Sequence, residues 1–190
     1  MPRLPDLVVE NLSVEQRHVY DAIVSGPRGT VPGPLRVWIN SPELADRAQA
    51  LGAFCRYGTV LPARLSELAI IIAGAYWKAG FEWAVHAPIA QQAGLSPDVI
   101  EAIRTGGQPA FALPDEAALH DFAHELLHNR KVSDASYRKA EKEIGNRALV
   151  DLVGILGYYG LISMTIIAFE VPPPEGTPDP FADTQPNQPR

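Results

Sequence analysis

The residues most able to do chemistry in this sequence are a glutamate and a histidine four positions apart, Glu82 and His86. They lie in an apolar stretch that should be helical, and a spacing of four places both side chains on one helix face, one turn apart. Such a pair can share a proton, which is what general acid–base catalysis requires. Imidazole suits this work because its ordinary pKa of about 6.5 lies near neutral pH. The same spacing also occurs in surface ion pairs that contribute only about 0.3–0.5 kcal/mol.

Three histidines form a second group, since His120, His124 and His128 recur every fourth residue of a predicted helix. Two histidines one turn apart can bind zinc or another divalent metal, so His120 and His124 offer a metal-site alternative. Three positions on one straight helix diverge, however, and a productive site usually takes a ligand from another element. We therefore favour an amphipathic helix with a polar face, and no metal.

Cys55 is the only cysteine of the chain. A single cysteine excludes an intrachain disulfide and a Cys-x-x-Cys redox or metal motif. Its position near an apolar helix end is typical of a small packed residue rather than a nucleophile. The Glu82–His86 pair must therefore work without a thiol.

Composition indicates one globular domain without an affinity for polyanions. The chain has 190 residues, of which 46% are hydrophobic and 20% charged, and its net charge is −6. This balance argues against a nucleic-acid or anionic-membrane surface. The first five residues contain no apolar signal core, and the apolar stretch 68–76 is too short to span a bilayer. We expect a cytoplasmic protein with a small-molecule substrate and no nucleic-acid or membrane partner.

Caps and proline positions predict an all-α protein. Ser13 and Gln16 have the spacing of a capping box, and Ser41 precedes a proline suited to a first helical turn. No alternating strand of useful length appears. The predicted helices cover about residues 14–24, 44–57, 62–75, 82–92, 97–104, 114–129, 134–144 and 147–168.

Two segments are predicted to be irregular, and they define the domain limits. Residues 25–40 are rich in proline and glycine, and residues 171–190 hold seven of the eighteen prolines. We therefore divide the chain into an N-terminal helix with its connection at 1–40, a helical domain at 41–170 and a proline-rich arm at 171–190. We expect this arm to be extended or disordered, or to wrap a neighbouring subunit.

Three short segments resemble the carboxymuconolactone decarboxylase family, which also contains the alkylhydroperoxidase D-like proteins. They are Arg-Leu-Ser-Glu-Leu-Ala-Ile at 64–70, Gly-Phe-Glu-Trp-Ala-Val-His at 80–86 and Ala-Gly-Leu-Ser at 93–96. The resemblance is strongest over residues 41–105 and continues more loosely through the last helix. It implies a compact helical bundle of about seven or eight helices, usually assembled into trimers, hexamers or similar rings.

The resemblance also separates two kinds of chemistry. The peroxidase-like branch carries Cys-x-x-Cys, a histidine four residues later and a glutamate on the preceding helix. Alignment places that glutamate at Glu67, the histidine at His86 and the two cysteines at Ala79 and Glu82, so thiol peroxidase activity is not expected. In the decarboxylase branch a Glu-x-x-x-His pair matches Glu82 and His86, although Ala84 stands where that motif has an arginine.

The resemblance implies a decarboxylase-like carbon–carbon lyase, or an isomerase, that acts without a cofactor on a small carboxylated lactone or related aromatic-degradation intermediate. His86 would be the acid, Glu82 its partner and Glu67 the group that orients it. A flat ring would be bound by nearby aromatic residues, and a carboxylate by an arginine. The aromatic candidates are Trp77, Trp83, Tyr76 and Tyr158, with Tyr159 beside them, and the arginine candidates are Arg56, Arg64 and Arg104.

Two other functions stay open at this point. A member of the family that has lost its thiols could be a non-catalytic, homo-oligomeric ligand-binding or scaffold protein. A metal-dependent hydrolase could use His120 and His124. The first alternative predicts that Glu82 and His86 face bulk solvent, whereas the lyase predicts that they face a closed aromatic cavity.

Overall fold

The computed structural model describes residues 2–184, and within them the chain forms helices without any β-strand. This confirms the all-α prediction and the expected number of helices. A short 3₁₀ turn, Val9–Asn11, precedes the first helix, and a π-helical turn, Glu125–Asn129, follows the seventh. The α-helices are α1 Val14–Ser25, α2 Gly33–Trp38, α3 Pro42–Tyr57, α4 Ala63–Trp77, α5 Gly80–Gln92, α6 Pro97–Thr105, α7 Pro114–His124 and α8 Asp134–Phe169.

Local signals begin several of these helices where the sequence predicts. The Ser13 side chain accepts from the Gln16 amide in a complete capping box. The side chains of Ser96 and Ser133 accept backbone N–H groups at the starts of α6 and α8. Each cap satisfies a donor that the first turn of a helix leaves without a partner.

Helix α4 forms the centre of the bundle. Its ten consecutive residues from Leu65 to Gly74 are all buried, and it packs mainly against α5, α7 and α8. A helix that is apolar on every side is a core helix, because it has no face to present to water. The only ionisable side chain in this buried run is Glu67, which the helix therefore carries into the interior.

The prediction of an irregular segment at 25–40 is wrong for α2. Pro34 lies in the first turn of this helix, where its missing N–H costs no hydrogen bond. Leu35 and Trp38 are buried, and the Trp38 indole N–H donates to the Thr165 hydroxyl of α8 over 2.9 Å. Tertiary packing thus stabilises a helix that the proline and glycine content of the segment does not predict.

Helix α8 consists of two helical segments joined at a kink, where Gly145 has a non-helical backbone conformation (φ 80°, ψ 160°). The break falls between the two helices that the sequence predicts there. Among the described residues, only α8 is long and apolar enough by length and composition to cross a membrane, and 56% of its most apolar window is buried inside the protein. Its contacts with α3, α4 and α7 are those of a core helix in a bundle.

The C-terminal segment folds back on its own chain, so the prediction of an extended or disordered arm is wrong as far as Thr184. Phe181 is fully buried, with its ring centroid 5.5 Å from that of Trp83 on α5. Asp183 forms an ion pair of 2.6 Å with Arg104 on α6. The remaining residues of the predicted arm, 185–190, lie outside the described part of the chain.

Candidate active site

The structure brings Glu67, Glu82 and His86 together in the interior. His86 Nδ1 lies 2.7 Å from Glu67 Oε2, and His86 Nε2 lies 3.3 Å from Glu82 Oε2. The three residues are only 7%, 5% and 3% exposed, respectively. Both ring nitrogens therefore lie beside a carboxylate: Nδ1 is hydrogen-bonded to Glu67, and Nε2 is within ion-pair distance of Glu82.

Two helices and the turn between them produce this arrangement. Helix α4 supplies Glu67, and α5 supplies Glu82 and His86. Lys78 ends α4 in a left-handed conformation (φ 54°), and α5 begins two residues later and packs along α4. The i,i+4 spacing on α5 and the pairing of the two helices together enclose the imidazole.

The two carboxylates decide the charge of His86. Burial disfavours the imidazolium, but the hydrogen bonds and negative charges of Glu67 and Glu82 outweigh it, so the pKa of His86 lies above its ordinary value. A raised pKa favours the protonated ring over the neutral one. The arrangement thus favours a proton on His86, which is the form that acts as an acid.

His86 and Glu82 line a small cavity, whereas Glu67 lies behind the imidazole and outside the cavity wall. The cavity has a volume of about 50 Å³. This is several times smaller than the roughly 300–1,000 Å³ of pockets that usually bind small-molecule ligands. The residues that form the wall are Arg28, Pro32, Pro34, Leu35, Arg56, Phe81, Glu82, Val85, His86, Tyr158, Tyr159 and Ile162.

The two tyrosines of the wall are held in their protonated form. Burial raises the pKa of Tyr158 and of Tyr159 far above the ordinary range, and the charge of Glu82 acts in the same direction. The Tyr159 ring stands edge-on to His86, with 5.3 Å between centroids. Both hydroxyls therefore remain available as hydrogen-bond donors at neutral pH.

The structure places the other aromatic candidates outside the cavity wall. Trp83 packs against Phe181 of the C-terminal segment. The rings of Tyr76 and Trp77 contact each other, with 5.4 Å between centroids, and Tyr76 also contacts His128. Of the four predicted substrate-binding residues, only Tyr158 lines the cavity.

The structure also distinguishes the three arginine candidates by their partners. Arg64 is paired with Asp115 and Glu116 rather than with Glu67, at 2.7 and 2.5 Å. Arg104 is paired with Glu101 and Asp183. Only Arg56 lines the cavity.

Arg28 is a wall residue that the sequence did not indicate. It lies in the proline- and glycine-rich connection between α1 and α2, where no helical periodicity relates it to other residues. Helical spacing predicts that Glu82 and His86 are neighbours, but no such rule predicts which residues a loop residue will contact. A charged residue between prolines and glycines was the one signal available.

The histidines of α7 and the following turn are stacked rather than convergent. Ring centroids are 5.8 Å apart for His120 and His124, and 4.3 Å apart for His124 and His128. Burial and the neighbouring charge of His124 lower the pKa of His120 and of His128. Among residues 2–184, no three histidine, cysteine or acidic side chains are placed to hold a metal ion. The metal-dependent alternative therefore lacks a ligand set in this part of the chain.

Cys55 is a buried packing residue near the end of α3. Burial, together with the negative charge of Asp151, raises the pKa of its thiol to about 11. The thiolate is the reactive form of cysteine, and a thiol with this pKa is almost entirely protonated near neutral pH. Its environment thus opposes a role as nucleophile.

Residues 42–125 match the model of the carboxymuconolactone decarboxylase family. The matched region contains Glu67, Glu82 and His86, the residues that align with the motifs of the family. No curated protein matches the chain in sequence. The match supports the resemblance to the carboxymuconolactone decarboxylase family over residues 42–125, in a chain that contains no Cys-x-x-Cys.

Solved structures share the fold over almost the whole chain. An alkylhydroperoxidase AhpD core, the uncharacterized peroxidase-related protein from Ralstonia eutropha JMP134, superposes with a TM-score of 0.73 at 16% identity, covering 98% of both chains. A peroxidase-related protein from Silicibacter sp. TM1040 gives 0.71 at 17% identity, covering 92% of this chain and 93% of the other. The debrominase Bmp8 in complex with 2,3,4-tribromopyrrole gives 0.71 at 15% identity, covering 93% and 92%. Identities this low establish the fold alone.

Proposed function

We propose that this protein is an acid–base enzyme, a decarboxylase-like lyase or an isomerase, that acts on a small carboxylated lactone or related ring-cleavage product. The observation that carries this proposal is a buried imidazole between two carboxylates, facing a cavity that contains no thiol. Ionisable groups are costly to bury, and a perturbed histidine in a cavity is characteristic of a functional site.

On this proposal each of the three residues has a separate role. In a decarboxylation the bond to the carboxylate carbon breaks, carbon dioxide leaves, and the electron pair moves into the adjacent carbonyl to form an enolate. His86 then delivers its Nε2 proton to the carbon. Glu82, beside Nε2 at the cavity wall, guides that proton, and Glu67 on Nδ1 keeps the ring oriented and charged. An isomerase would move a proton from one carbon to another through the same imidazole.

A ring-sized substrate needs more room than this small cavity provides. A mostly apolar groove of about 350 Å³ lies between the N-terminal segment and the end of α8, and Phe81 belongs to the walls of both spaces. Displacing the Phe81 ring would join them. Substrate binding on this proposal therefore requires Phe81 to move.

The first experiment is a substrate screen with the wild type, His86→Ala and Glu82→Gln. Candidate substrates are ring-cleavage lactones and β-keto or vinylogous acids, followed by carbon dioxide release and by ultraviolet loss of conjugation. In D₂O, both the lyase and the isomerase should place solvent deuterium on the product carbon. We expect each variant to lose about 10²–10⁴-fold in rate, the usual contribution of a general acid or base.

His18→Ala is the matched control, because His18 is an exposed histidine on α1. It should leave the rate unchanged, and circular dichroism should show all three variants folded. Turnover that is indifferent to His86 and Glu82 would move the site elsewhere. No turnover on any compound would favour the non-catalytic ligand-binding or scaffold protein.

A further inference from the structure

Two arginines of the cavity wall have no carboxylate partner among residues 2–184. Arg28 makes only a long contact of 3.4 Å to the Tyr158 hydroxyl, and its Nε is buried without any hydrogen-bond partner. Arg56 lies over the Tyr57 ring, 5.3 Å from its centroid, and forms no ion pair. Arg64 and Arg104, by contrast, each bind two carboxylates. Neither cation of the cavity wall therefore has a carboxylate partner among residues 2–184.

Gly52 has no side chain, and this leaves the space in which Arg28 and Tyr158 approach α3. A Cβ at Gly52 would overlap the Tyr158 hydroxyl and would lie 2.6 Å from Arg28 Nη2. Arg56 follows Gly52 by four residues on α3, so it projects from the same helix face one turn later. Arg28, Arg56 and Tyr158 therefore converge at one end of the cavity, and both arginines act on the Tyr158 hydroxyl electrostatically.

We propose that Arg28, Arg56 and the Tyr158 hydroxyl form a subsite for an oxyanion of the substrate; this deepens the proposed function and rests on it. Two like charges and an unpaired buried N–H are unfavourable without an anion between them. With both glutamates ionised and His86 protonated, His86, its two glutamates and the two arginines together carry three positive charges and two negative ones. One bound oxyanion neutralises the set.

The oxyanion can come from two parts of the same substrate. If it is the carboxylate, the arginines hold the substrate before reaction. If it is the enolate oxygen, they stabilise the charge that develops when the carbon–carbon or carbon–hydrogen bond breaks. Both sources present the same chemistry, an oxygen anion that accepts hydrogen bonds from guanidinium and hydroxyl groups.

Equilibrium binding tests the subsite without requiring turnover. The probes are tetronate, which is the enolate of a five-membered lactone, and its neutral methyl ether, together with a γ-butyrolactone carboxylate and its neutral amide. Calorimetry should show at least one anion binding about tenfold or more tightly than its neutral counterpart, as expected for hydrogen bonds to charged groups. Added salt should reduce the difference, because it screens the charges at this half-exposed end of the cavity.

Arg28→Gln and Arg56→Gln should each remove about tenfold of the anion preference. Arg28→Lys keeps the charge and should recover part of it, which a merely structural role would not predict. Arg47→Gln removes an exposed arginine from the same helix α3 and should change nothing. Thermal unfolding of every variant checks that the fold is retained.

The two probe pairs distinguish the sources. A preference for tetronate over its ether assigns the subsite to the enolate, and a preference for the carboxylate over its amide assigns it to substrate binding. Equal binding of anions and neutral probes, no binding of any of them, or a preference indifferent to both arginines would overturn the proposal. Anion binding without turnover would support this subsite and refute the proposed function. Turnover that needs His86 but neither arginine would support the proposed function and refute the subsite.

Discussion

At the scale of single residues, the protonation of His86 governs part of the stability and, on the proposed function, the chemistry. Glu67 and Glu82 raise its pKa above the ordinary value despite its burial. The charged pairs therefore stabilise the fold fully below about pH 6.5, and this contribution is lost as the pH rises through the raised pKa. Any activity that uses His86 as an acid should fall over the same range.

Removing Glu67 should lower the pKa of His86. Glu67→Gln takes away the carboxylate on Nδ1, so burial then acts against the imidazolium with one counter-charge fewer. Titration of the His86 ring signals by NMR should show the wild-type ring holding its proton above pH 6.5 and the variant losing it at a lower pH. Glu101→Gln, at an exposed glutamate of α6, is the control. An unchanged His86 titration in Glu67→Gln would contradict the arrangement described here.

The sequence could indicate Glu82 and His86 because helical spacing alone places them together. Glu67 entered through the family resemblance, since nothing local links it to a histidine nineteen positions later. Arg28 and Tyr158 are 130 residues apart, and only the packed fold brings them together. Local periodicity therefore predicted the Glu82–His86 pair, but it did not predict the contact between Arg28 and Tyr158.

At the scale of elements, α3 meets α8 through the small residue Gly52. Gly52→Ala should destabilise the protein by about 1–3 kcal/mol, because overlap with Tyr158 and Arg28 exceeds the gain in helix propensity of about 1 kcal/mol. Gly154→Ala on α8 is the matched control, since its Cβ would meet only Cys55 Sγ at 4.0 Å. Urea unfolding should show a lower midpoint for the first variant and no loss for the second. An unaltered midpoint for Gly52→Ala would mean that the contact is looser than described.

The element boundaries show which signals in the sequence were sufficient. Caps at Ser13, Ser96 and Ser133 act on the next few residues, so the helix starts could be read locally. Helix α2 and the docked C-terminal segment could not, because each owes its structure to distant partners of Trp38 and Phe181. Proline content described the local preference of these segments and not their packing.

At the scale of the whole molecule, α8 presents an apolar stripe to solvent. Val150, Val153 and Met164 are 72%, 47% and 46% exposed, and they recur with Gly157 at spacings that place them on one face. No charged residue interrupts the stripe. Exposed apolar faces of this kind are typical of protein–protein interfaces, and we expect this one to contribute to the predicted homo-oligomer.

Val153→Asp should dissociate that oligomer. In a symmetric interface the substitution buries like charges against each other, which costs several kcal/mol. Size-exclusion chromatography with light scattering would measure the mass of the wild type and the variant. Val14→Asp, at an 82% exposed position of α1, adds the same charge outside the stripe and should leave the mass unchanged. A monomeric wild type would refute the expectation.

The site divides between two parts of the molecule that can change independently. Glu67, Glu82 and His86 belong to α4 and α5, inside the bundle, whereas Arg28 belongs to a surface connection outside the family match at 42–125. Connections tolerate change far better than core helices do. On the proposed function, exchange of this connection would change which substrates the scaffold accepts, while the proposed proton-transfer residues on α4 and α5 would be inherited intact.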